Sequence, residues 1–529
     1  MTSQSEGPLD AAIEYIAGRV ASGDVHTRAE LERLKKRAAT EFSLKRYVSN
    51  REVLAALPQS SKEPFLELLR VHSRRSASGI IVVTAFSEPY SCPHGTCVFC
   101  PGGPRFGTPQ SYLPVSPGMK TALAVAFDPY KQVRHSLSKY MANGHETDKV
   151  ETIIEGGTFI AVPRDYQESF VKGVFDGLNG EASSSLEEAQ ARNETAESRC
   201  VGLSLETKPD WCGPEEVDIM LDYGITRLEI GVQSLRNGTL LRSNRGHTVE
   251  DSAEAFQVAR DVGLKITAHM MPGLPGATPE EDLQDLRRVF DDEEFRPDMT
   301  KLYPTLVVPG TARERMIAAG QYEPYDLDTV VELLSEMKRW VPPWHRIMRI
   351  QREIPEKEIA GGVKNGNLRQ LVLLRAAEKG IACRCIRCRE VALNSPLDFE
   401  DDEPRFRVER YRASGGLEYF GSYELARSGR IAGFVRMRLP SDRAHRAEAR
   451  DAAIVRELRV YGMSVHLGGR QSSAWQHRGL GRKMLGAMEE EARDAGARRV
   501  LVTSAVGTRN YYRRLGYERQ GPYMARALR

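Results

Sequence analysis

The stretch Cys92-Pro-His-Gly-Thr-Cys97-Val-Phe-Cys100-Pro-Gly-Gly places three thiols on one short loop and follows them with a glycine-rich turn. Three cysteine thiolates on such a loop can hold three corners of a four-iron, four-sulfur cluster, which leaves one iron open to a ligand that is not protein. We therefore interpret Cys92, Cys97 and Cys100 as ligands of a [4Fe-4S] cluster with one exchangeable corner.

The spacing of these cysteines, with four and then two residues between them, resembles that of the radical S-adenosylmethionine superfamily, where three and then two residues are usual. In that superfamily the methionine part of S-adenosylmethionine chelates the open iron, and electron transfer then cleaves the molecule to a 5′-deoxyadenosyl radical. A zinc knuckle is the alternative, because Cys-x2-Cys is also a zinc half-site. A fourth ligand close in sequence is not obvious, which favours the cluster.

The composition is that of a large globular protein. The chain has 529 residues, of which 41% are hydrophobic, so three or four domains with proper cores are expected. The polar N-terminus lacks the apolar stretch of a signal peptide and no long apolar run follows, so we predict a cytoplasmic protein without a membrane partner. The net charge of +3 is too small to argue for nucleic acid, so that argument must come from local patches.

Segments typical of strands alternate with helical segments from Ile80 onward, which predicts parallel βα units. The ligands of parallel α/β barrels bind where the strands end. The glycine pair Gly156-Gly157 would let the backbone approach the amino and carboxylate groups of S-adenosylmethionine, while Glu206, Glu229 and Gln233 offer partners for its amine and ribose. A single Gly-Gly pair is more often only a tight turn. The stretch from Gly180 to Arg199 is interpreted as a surface insertion.

The first 75 residues are predicted to be helical and to carry a basic cluster. Its members are Arg33, Lys35, Lys36, Arg37, Lys45, Arg46 and Arg51. Such a cluster suits contacts with RNA phosphates, although a solvated helix face would have the same composition.

A second cysteine triplet, Cys383, Cys385 and Cys388, follows in a connector segment. Three thiols in six residues predict a small zinc site whose fourth ligand comes from elsewhere, with His345 as a candidate. Buried structural thiols are the alternative. Arg384, Arg387 and Arg389 lie between and beside the cysteines, which favours a surface facing phosphates.

The C-terminal part contains the motif Gln476-His-Arg-Gly479-Leu-Gly481-Arg482 at the start of an amphipathic helix. The motif resembles the pyrophosphate loop of the Gcn5-related acetyltransferase (GNAT) fold, in which backbone N–H groups at a helix N-terminus bind the diphosphate of coenzyme A. Acetyltransferases of this fold commonly place a tyrosine near the thioester sulfur, which here implicates Tyr512. We therefore predict a GNAT α/β domain that binds acetyl-CoA.

With both cofactor motifs on one chain, the sequence resembles the third Elongator protein family, the catalytic subunits of Elongator, in the stand-alone bacterial or archaeal form. The resemblance covers nearly the whole chain. Its most specific stretches are the cysteine loop, Glu206-Thr-Lys-Pro-Asp, Arg227-Leu-Glu-Ile-Gly-Val-Gln-Ser, Arg245-Gly-His-Thr and Gly507-Thr-Arg-Asn-Tyr-Tyr.

The resemblance implies a tRNA uridine(34) acetyltransferase, or carboxymethyluridine synthase. The adenosyl radical would take a hydrogen atom from the methyl group of acetyl-CoA, the carbon radical would add to C5 of the wobble uridine, and hydrolysis would release coenzyme A. C5 of uracil has no useful nucleophilicity at neutral pH, so an ordinary acetyl transfer would not form this carbon–carbon bond.

The same resemblance implies which residues hold acetyl-CoA and which are catalytic. The implied acetyl-CoA contacts are Lys149, Glu457, Leu458, Arg459, Val460, Leu480, Gly481, Arg482 and Tyr512. The implied catalytic residues are Tyr512, Lys149, Lys301 and Tyr303, of which the last two are candidates for substrate or radical control. Lys149 lies outside the acetyltransferase domain, which would bring the acetyl end to the boundary between domains.

The predicted organisation is a helical, tRNA-contacting region (1–75), a partial parallel (β/α) radical S-adenosylmethionine barrel (76–335), a connector with the zinc site (336–398) and a GNAT domain (399–529). The expected partner is the anticodon stem-loop of tRNA with its wobble uridine. No obligatory partner subunit is evident, and a homodimer is left open. Two other functions are compatible with the motifs: a protein lysine acetyltransferase that uses the C-terminal domain alone, and a tRNA-binding scaffold without catalysis.

Overall fold

The computed structural model of the protein describes residues 7–58, 62–71, 76, 79–391, 402–462 and 479–528. The N-terminal part is helical. Its helices are α1 (Pro8–Ala21), α2 (Arg28–Glu41), α3 (Asn50–Ala56) and α4 (Leu66–Leu69). Thr27 and Ser49 each close a capping box with a glutamate three residues later, so α2 and α3 begin where the sequence supplies these caps.

A parallel sheet with strands in sequential order, β1 to β7, forms the middle of the chain. The strands are β1 (Ile81–Phe86), β2 (Lys149–Glu155), β3 (Arg199–Thr207), β4 (Arg227–Gln233), β5 (Lys265–Met270), β6 (Met299–Leu302) and β7 (Arg346–Ile350). Helices cover its outer face and leave an inner face, so the sheet is the predicted partial barrel. Most residues of β2 and β4–β6 are buried, as expected for parallel strands covered on both faces.

The helices of this part alternate with the strands or follow the last of them. They are α5 (Met119–Ala124), α6 (Pro129–Ala142), α7 (Arg164–Asn179), α8 (Leu186–Asn193), α9 (Pro214–Asp222), α10 (Asn237–Arg242), α11 (Val249–Asp261), α12 (Pro279–Asp291), α13 (Ala312–Ala318), α14 (Leu327–Met337), α15 (Leu368–Glu378) and α16 (Ile386–Arg389). Among the described residues, no helix is long and apolar enough to cross a membrane.

The prediction of a surface insertion from Gly180 to Arg199 was wrong for much of that stretch. Residues Leu186–Asn193 form α8, which Ser185 caps through its side chain. Asn193 is fully buried and its side-chain oxygen accepts a hydrogen bond of 2.8 Å from the backbone of Cys200 in β3. This polar stretch therefore contains a helix, and the last residue of that helix holds the start of a barrel strand in place.

The strand register places inward-facing side chains of the barrel in rows. One row, called the lower row, contains Ile153, Ser204, Arg227 and Lys265. The next row toward the carboxyl ends, called the upper row, contains Glu206, Glu229, Thr267 and Met299. Because two residues along a strand span about 7 Å, the two rows are that far apart.

A second, mixed sheet forms the C-terminal part, in the strand order β13-β14-β12-β11-β10-β9-β8. Its elements are β8 (Pro404–Ala413), β9 (Gly416–Leu425), β10 (Ile431–Leu439), β11 (Ala452–Val460), α17 (Leu480–Asp494), β12 (Arg499–Val502), α18 (Arg509–Arg513), β13 (Glu518–Gln520) and β14 (Tyr523–Ala527). The pair β11–β12 is parallel and ends at Val455 with Val502, whereas β11 continues to Val460. The two strands therefore part beside the second half of β11.

The second sheet contacts the amino ends of the barrel strands through buried arginines. Arg456 of β11 donates hydrogen bonds to both carboxylate oxygens of Asp298 (2.9 and 2.6 Å) and to the Leu264 carbonyl (3.0 Å). Arg438 of β10 donates to Asp261 at the end of α11 (2.9 and 2.6 Å). All four side chains in these two ion pairs are fully buried, so the two sheets are joined by desolvated charge pairs. The predicted fold class, a parallel half-barrel followed by a GNAT-like sheet, is confirmed.

Candidate functional site

A cavity of about 260 Å³ lies at the carboxyl ends of the barrel strands. The cysteine loop covers it from one side, and residues at the ends of β2 to β6 line it from the other. The sequence-predicted residues that line this cavity are Cys92, Cys97, Cys100, Gly157, Glu206, Glu229, Gln233, Lys301 and Tyr303. The expectation that the strand ends meet at one binding cavity therefore agrees with the geometry.

The three sulfurs of the cysteine loop lie against polar side chains. Their neighbours are His94 Nε2 (3.1 Å) and Arg245 Nη1 (3.3 Å) for Cys97, Gln110 Oε1 (3.2 Å) and Ser111 Oγ (3.3 Å) for Cys100, and Thr158 Oγ1 (3.7 Å) for Cys92. Hydrogen bonds to cluster-ligating sulfurs are one of the means by which proteins set a cluster's potential. Each candidate ligand therefore has a polar group beside its sulfur, and for Cys97 that group is the donor Arg245.

The three cysteine thiols suit a cluster whose iron ions supply positive charge. Burial raises the pKa of Cys92 and raises the pKa of Cys100 to about 12, so the Cys100 thiol keeps its proton at neutral pH unless a cation binds it. Iron deprotonates a ligating thiol outright. Gly157 has a φ of 81°, and a β-carbon there would lie 3.6 Å from the Cys92 sulfur, so glycine leaves the space beside that sulfur open.

Two carboxyl groups and a tyrosine lie at the ends of β2 and β3. Tyr112 donates its hydroxyl to the two carboxylate oxygens of Glu206 (2.8 and 2.9 Å). Burial, and then repulsion from Glu206, raises the pKa of Glu155 to about 8. Glu155 is thus largely protonated at neutral pH, and a cationic ligand would favour its charged form.

Glu229 connects the other charged groups of the cavity. Its Oε2 lies 3.0 Å from Lys301 Nζ and 2.8 Å from His269 Nε2, and Arg227 Nε donates to its Oε1 at 3.1 Å. Burial disfavours the carboxylate, but Lys301 and then Arg227 outweigh it and hold the pKa of Glu229 well below its usual range. For Lys301, likewise, the pull of Glu229 outweighs burial and raises the pKa. The ring of Tyr303 packs edge-on against His269.

Gln233 ends β4 with a backbone φ of 73°, which is unusual for a residue with a β-carbon. Its side-chain Oε1 is buried, and the described residues offer it no hydrogen-bond donor. A strained residue with an unused acceptor in a cavity is typical of a ligand-binding position. The amine or ribose of a bound S-adenosylmethionine would supply the missing donor.

A second cavity, of about 90 Å³, lies at the opposite ends of the barrel strands, between the two sheets. We call it the interdomain cavity. The barrel contributes Glu151, Gly202, Ser204, Arg227 and Lys265, among others. The C-terminal part contributes Glu457, Leu458 and Arg459 of β11 and Tyr512 of α18. The interdomain cavity therefore contains four of the residues implicated in acetyl-CoA binding.

Other predicted acetyl-CoA residues lie near this cavity or cannot be described. Lys149 is the first residue of β2, and burial lowers its pKa, but Lys265 and not Lys149 lines the cavity. Val460 ends β11. Gln476 lies outside the described residues.

The pyrophosphate-loop motif leads into α17. Gly479 precedes the helix with a φ of 78°, and Leu480, Gly481 and Arg482 form its first turn. A β-carbon on Gly481 would lie 2.9 Å from the Tyr511 hydroxyl, so a larger residue there would displace that side chain. The helix N-terminus and the Arg482 charge are both suited to a diphosphate.

The second cysteine triplet forms a compact group. The sulfurs of Cys383, Cys385 and Cys388 all lie within 4.8 Å of one another. Sulfurs that share a tetrahedral zinc ion are about 3.8 Å apart, given Zn–S bonds of about 2.3 Å, so three thiols at this spacing fit one metal ion. The choice of His345 as a fourth ligand was wrong. Its Nε2 bonds with Thr300 Oγ1 (3.0 Å) and its Nδ1 with the Pro297 carbonyl (2.8 Å), so both ring nitrogens are engaged.

Several residues of the two cavities were not found from the sequence. Tyr112, Gln110 and Ser111 lie on a loop and give no periodic signal. His269 and Arg245 had a usable signal, because His269 is the last residue but one of β5 and Arg245 belongs to a motif that the family resemblance had already singled out. Lys265 begins a strand, and strand beginnings were not considered as binding positions.

The fold and the two cavities define a protein that joins a radical S-adenosylmethionine barrel to an acetyltransferase domain. Residues 90–289 match the Radical SAM superfamily, residues 297–378 the Radical_SAM C-terminal domain, and residues 387–517 the Acetyltransferase (GNAT) family. The first family implies S-adenosylmethionine and a [4Fe-4S] cluster, and the third implies acetyl-CoA.

Relatives that are similar over most of the chain show which family within this class of protein the chain belongs to. The tRNA uridine(34) acetyltransferase of Methanocaldococcus jannaschii is 42% identical over 488 residues, which cover 91% of this chain and 90% of that relative. Elongator complex protein 3 of Homo sapiens is 39% identical over 515 residues, covering 94% and 93%. The solved structure of the archaeal Methanocaldococcus infernus Elp3 with an N-terminal deletion (1–46) has a TM-score of 0.75 at 40% identity, covering 85% of this chain and all of that one. The chain belongs to the family of Elongator complex protein 3 and the archaeal tRNA uridine(34) acetyltransferases, as the sequence resemblance predicted.

The raised pKa of Glu155 gives a testable pH dependence. Bound S-adenosylmethionine carries positive charges that favour the Glu155 carboxylate, so binding should release its proton. The affinity of the cluster-loaded protein should then rise by up to about tenfold per pH unit below about pH 8 and level off above it. Calorimetric titration at several pH values would measure this. The matched variant Glu155→Gln should show a shallower rise, because only the proton released when the amine ligates iron would remain. An equal slope in both proteins would contradict the role of Glu155.

Proposed function

We propose that this chain is a tRNA uridine(34) acetyltransferase that replaces the C5 hydrogen of the wobble uridine by the methyl carbon of acetyl-CoA and then releases coenzyme A by hydrolysis. S-adenosylmethionine would be the oxidant: its cleavage to methionine and 5′-deoxyadenosine takes up the methyl hydrogen and one further electron, and the C5 hydrogen leaves as a proton. The observation that carries the proposal is the placement of two different cavities at the two ends of one barrel. Arg227 lines the interdomain cavity and Glu229 lines the cavity beside the cysteines, yet the two side chains touch. Relatives that match most of the chain carry the same name, which supports the proposal.

The cavity beside the cysteines would hold the cluster and S-adenosylmethionine. When bound there, they supply a strong hydrogen-atom acceptor. In this proposal the cysteine loop holds three irons, Gly157 leaves room beside the first sulfur, and Glu206 with Gln233 orients the ligand. Lys301 and Tyr303 lie on the same side of the barrel and would limit what else approaches the reacting atoms.

The interdomain cavity would hold the acetyl end of acetyl-CoA. The diphosphate would lie at the N-terminus of α17 beside Arg482, and the chain of coenzyme A would follow β11 where it parts from β12. Burial raises the pKa of Tyr512 well above its ordinary value, so its hydroxyl remains protonated at neutral pH. A protonated hydroxyl there can donate a proton to the departing thiolate.

The exposed cations of the N-terminal helices would bind the phosphates of tRNA. Arg33, Lys36 and Arg37 are exposed on α2. Two other members of the basic cluster have internal roles, because Lys35 is buried and donates to Glu32 and Asn50, and Arg46 pairs with Glu52. The anticodon stem-loop is the part of tRNA that must reach the cavity beside the cysteines, since that loop carries the wobble uridine.

Cys383, Cys385 and Cys388 would bind a structural zinc ion. They precede the second sheet and lie next to α14, where Lys338 Nζ is 3.6 Å from the Cys383 sulfur. An ion at this point would fix the connector between the barrel and the second sheet. The fourth ligand is then water or a residue other than His345.

The reaction itself is tested by nucleoside mass spectrometry of tRNA incubated anaerobically with cluster-loaded protein, reductant, S-adenosylmethionine and acetyl-CoA. Formation of 5-carboxymethyluridine should disappear in Cys97→Ala, which removes a cluster ligand. It should fall by roughly 100-fold in Tyr512→Phe, which removes only the proton donor. Acetylation of a protein acceptor without modified uridine would instead favour a lysine acetyltransferase, and tRNA binding without any turnover would favour a scaffold.

The tRNA surface is tested by reversing three charges, Arg33→Glu, Lys36→Glu and Arg37→Glu. Affinity for tRNA should fall by roughly tenfold or more, and the slope of log affinity against log salt should become shallower by about one unit per lost phosphate contact. Filter binding at several salt concentrations measures both. The matched control reverses the exposed Arg443, Arg450 and Arg498 of the second domain. An equal loss in both triple variants would mean that only net charge matters.

The zinc site is tested by metal analysis of the purified protein. Wild type should contain about one zinc ion in addition to its iron, and Cys388→Ser should lose the zinc while it keeps the iron. Cys200→Ser is the matched control, because Cys200 is a buried thiol outside both triplets. Zinc retained in Cys388→Ser, or lost in the control, would contradict the assignment.

A further inference from the structure

Arg227 of β4 is a buried arginine with one unused donor. Its side chain is only 4% exposed, its Nη1 pairs with Glu151, and its Nε donates to Glu229 at 3.1 Å. Within the described part of the chain, Nη2 has no hydrogen-bond partner although it is buried. A buried guanidinium N–H without an acceptor is unfavourable, so a partner that the protein does not itself provide is expected.

The surroundings of Arg227 suit a small carbonyl ligand. Arg227 lines the interdomain cavity together with Tyr512 and Leu458, and the cavity of about 90 Å³ has the volume of about three water molecules. Gly202 keeps this space open, since a β-carbon there would lie 3.3 Å from Glu151 Cγ. An acetyl group fits such a space, whereas a whole nucleotide is too large for it.

The two carboxylates fix the direction of the unused donor. Glu151 also accepts from Arg459 of β11 (3.3 Å), and Glu229 also pairs with Lys301, so each carboxylate is held from a second side. The guanidinium therefore cannot turn to satisfy Nη2 without breaking an existing ion pair. A donor held in this way binds an acceptor without losing further rotational freedom.

Arg227 also lies where the acetyl group has to be for the proposed reaction. It belongs to the lower row of the barrel interior, about 7 Å from the upper row, and Glu229 of the upper row lines the cavity beside the cysteines. If the carbonyl oxygen of an acetyl group binds at Arg227, the methyl group of that acetyl can point toward the upper row.

We propose that Arg227 Nη2 donates a hydrogen bond to the thioester carbonyl oxygen of acetyl-CoA and so holds the acetyl methyl group toward the S-adenosylmethionine cavity. This inference rests on the proposed function for the identity of the ligand, and it adds a substrate-binding residue to it. The acetyl group then reaches the other cavity through the barrel interior, past the Arg227–Glu229 pair.

The test compares two stable ligands of the full-length protein by calorimetric titration. One replaces the thioester sulfur of acetyl-CoA by a methylene group and keeps the carbonyl, and the other, S-ethyl-coenzyme A, lacks the carbonyl. Wild type should prefer the carbonyl ligand by about tenfold or more, as expected for a hydrogen bond from a charged donor. In Arg227→Met the preference should fall to about one, with the affinity for S-ethyl-coenzyme A unchanged. An equal loss for both ligands, or a retained preference, would overturn the proposal.

Two further variants control for charge and folding. Arg227→Lys keeps a cation between Glu151 and Glu229 but lacks the third nitrogen, so it should also lose the preference. Lys265→Met removes the neighbouring cation of the same cavity and should keep the preference. If Arg227→Lys kept the preference and Lys265→Met lost it, the carbonyl contact would belong to Lys265 and the assignment would be overturned.

An infrared measurement on wild type does not depend on any variant folding. The carbonyl stretching frequency of the 13C-labelled carbonyl ligand should be lower when the ligand is bound than when it is in water. A frequency at or above the value in water would overturn the proposal. These experiments need neither tRNA nor S-adenosylmethionine. If wild type binds neither ligand, the acetyl-CoA part of the proposed function fails, whereas binding of both without preference removes only the role of Arg227.

Discussion

The ion pair between Arg456 and Asp298 fixes the relation between the two sheets, and the rest of the site depends on it. Arg456 belongs to β11, the strand beside which coenzyme A would lie, and Asp298 immediately precedes β6 of the barrel. Breaking a buried ion pair by removing one partner costs about 3–5 kcal/mol, whereas replacing both partners by apolar residues is often neutral. The pair therefore gives the interface a unique register more than it adds stability.

That register brings the two candidate cofactor cavities to adjacent rows of the same barrel. The second sheet closes the amino end of the barrel, and the cysteine loop closes the carboxyl end. Between them the interior is filled by charged side chains that satisfy one another, from Arg459 through Glu151 and Arg227 to Glu229 and Lys301. Most parallel barrels fill this space with branched apolar side chains. A polar filling is costly unless it is paired, and here each of these charges has an opposite partner, although Arg227 Nη2 lacks an acceptor among the described residues.

The sequence predicted those parts of the structure that rest on local patterns. The cysteine loop, the strand ends with Gly157 and Glu206, and the glycines before and in α17 are short motifs, so their neighbours in the chain were enough. The contacts of Arg227 could not be predicted, because they join β2 to β4, and Glu151 of β2 is held in turn by Arg459 of β11. Register between distant strands is set by packing that no local pattern reports. The prediction of His345 as a zinc ligand failed for the same reason, since a carbonyl and a hydroxyl from other segments of the chain bond with its ring nitrogens.

The charged interior also explains why the two chemistries occupy one chain. A radical that removes a hydrogen atom from a methyl group must meet that group within contact distance and must be kept from water and from other C–H bonds. Two enzymes that exchanged an activated acetyl group would expose it to solvent between them. A barrel with the cysteine loop at one end and the second sheet at the other would avoid this, because in the proposed arrangement the methyl group and the adenosyl group would approach from opposite sides of one layer of side chains. The composite site thus depends on the interior of the barrel more than on either domain alone.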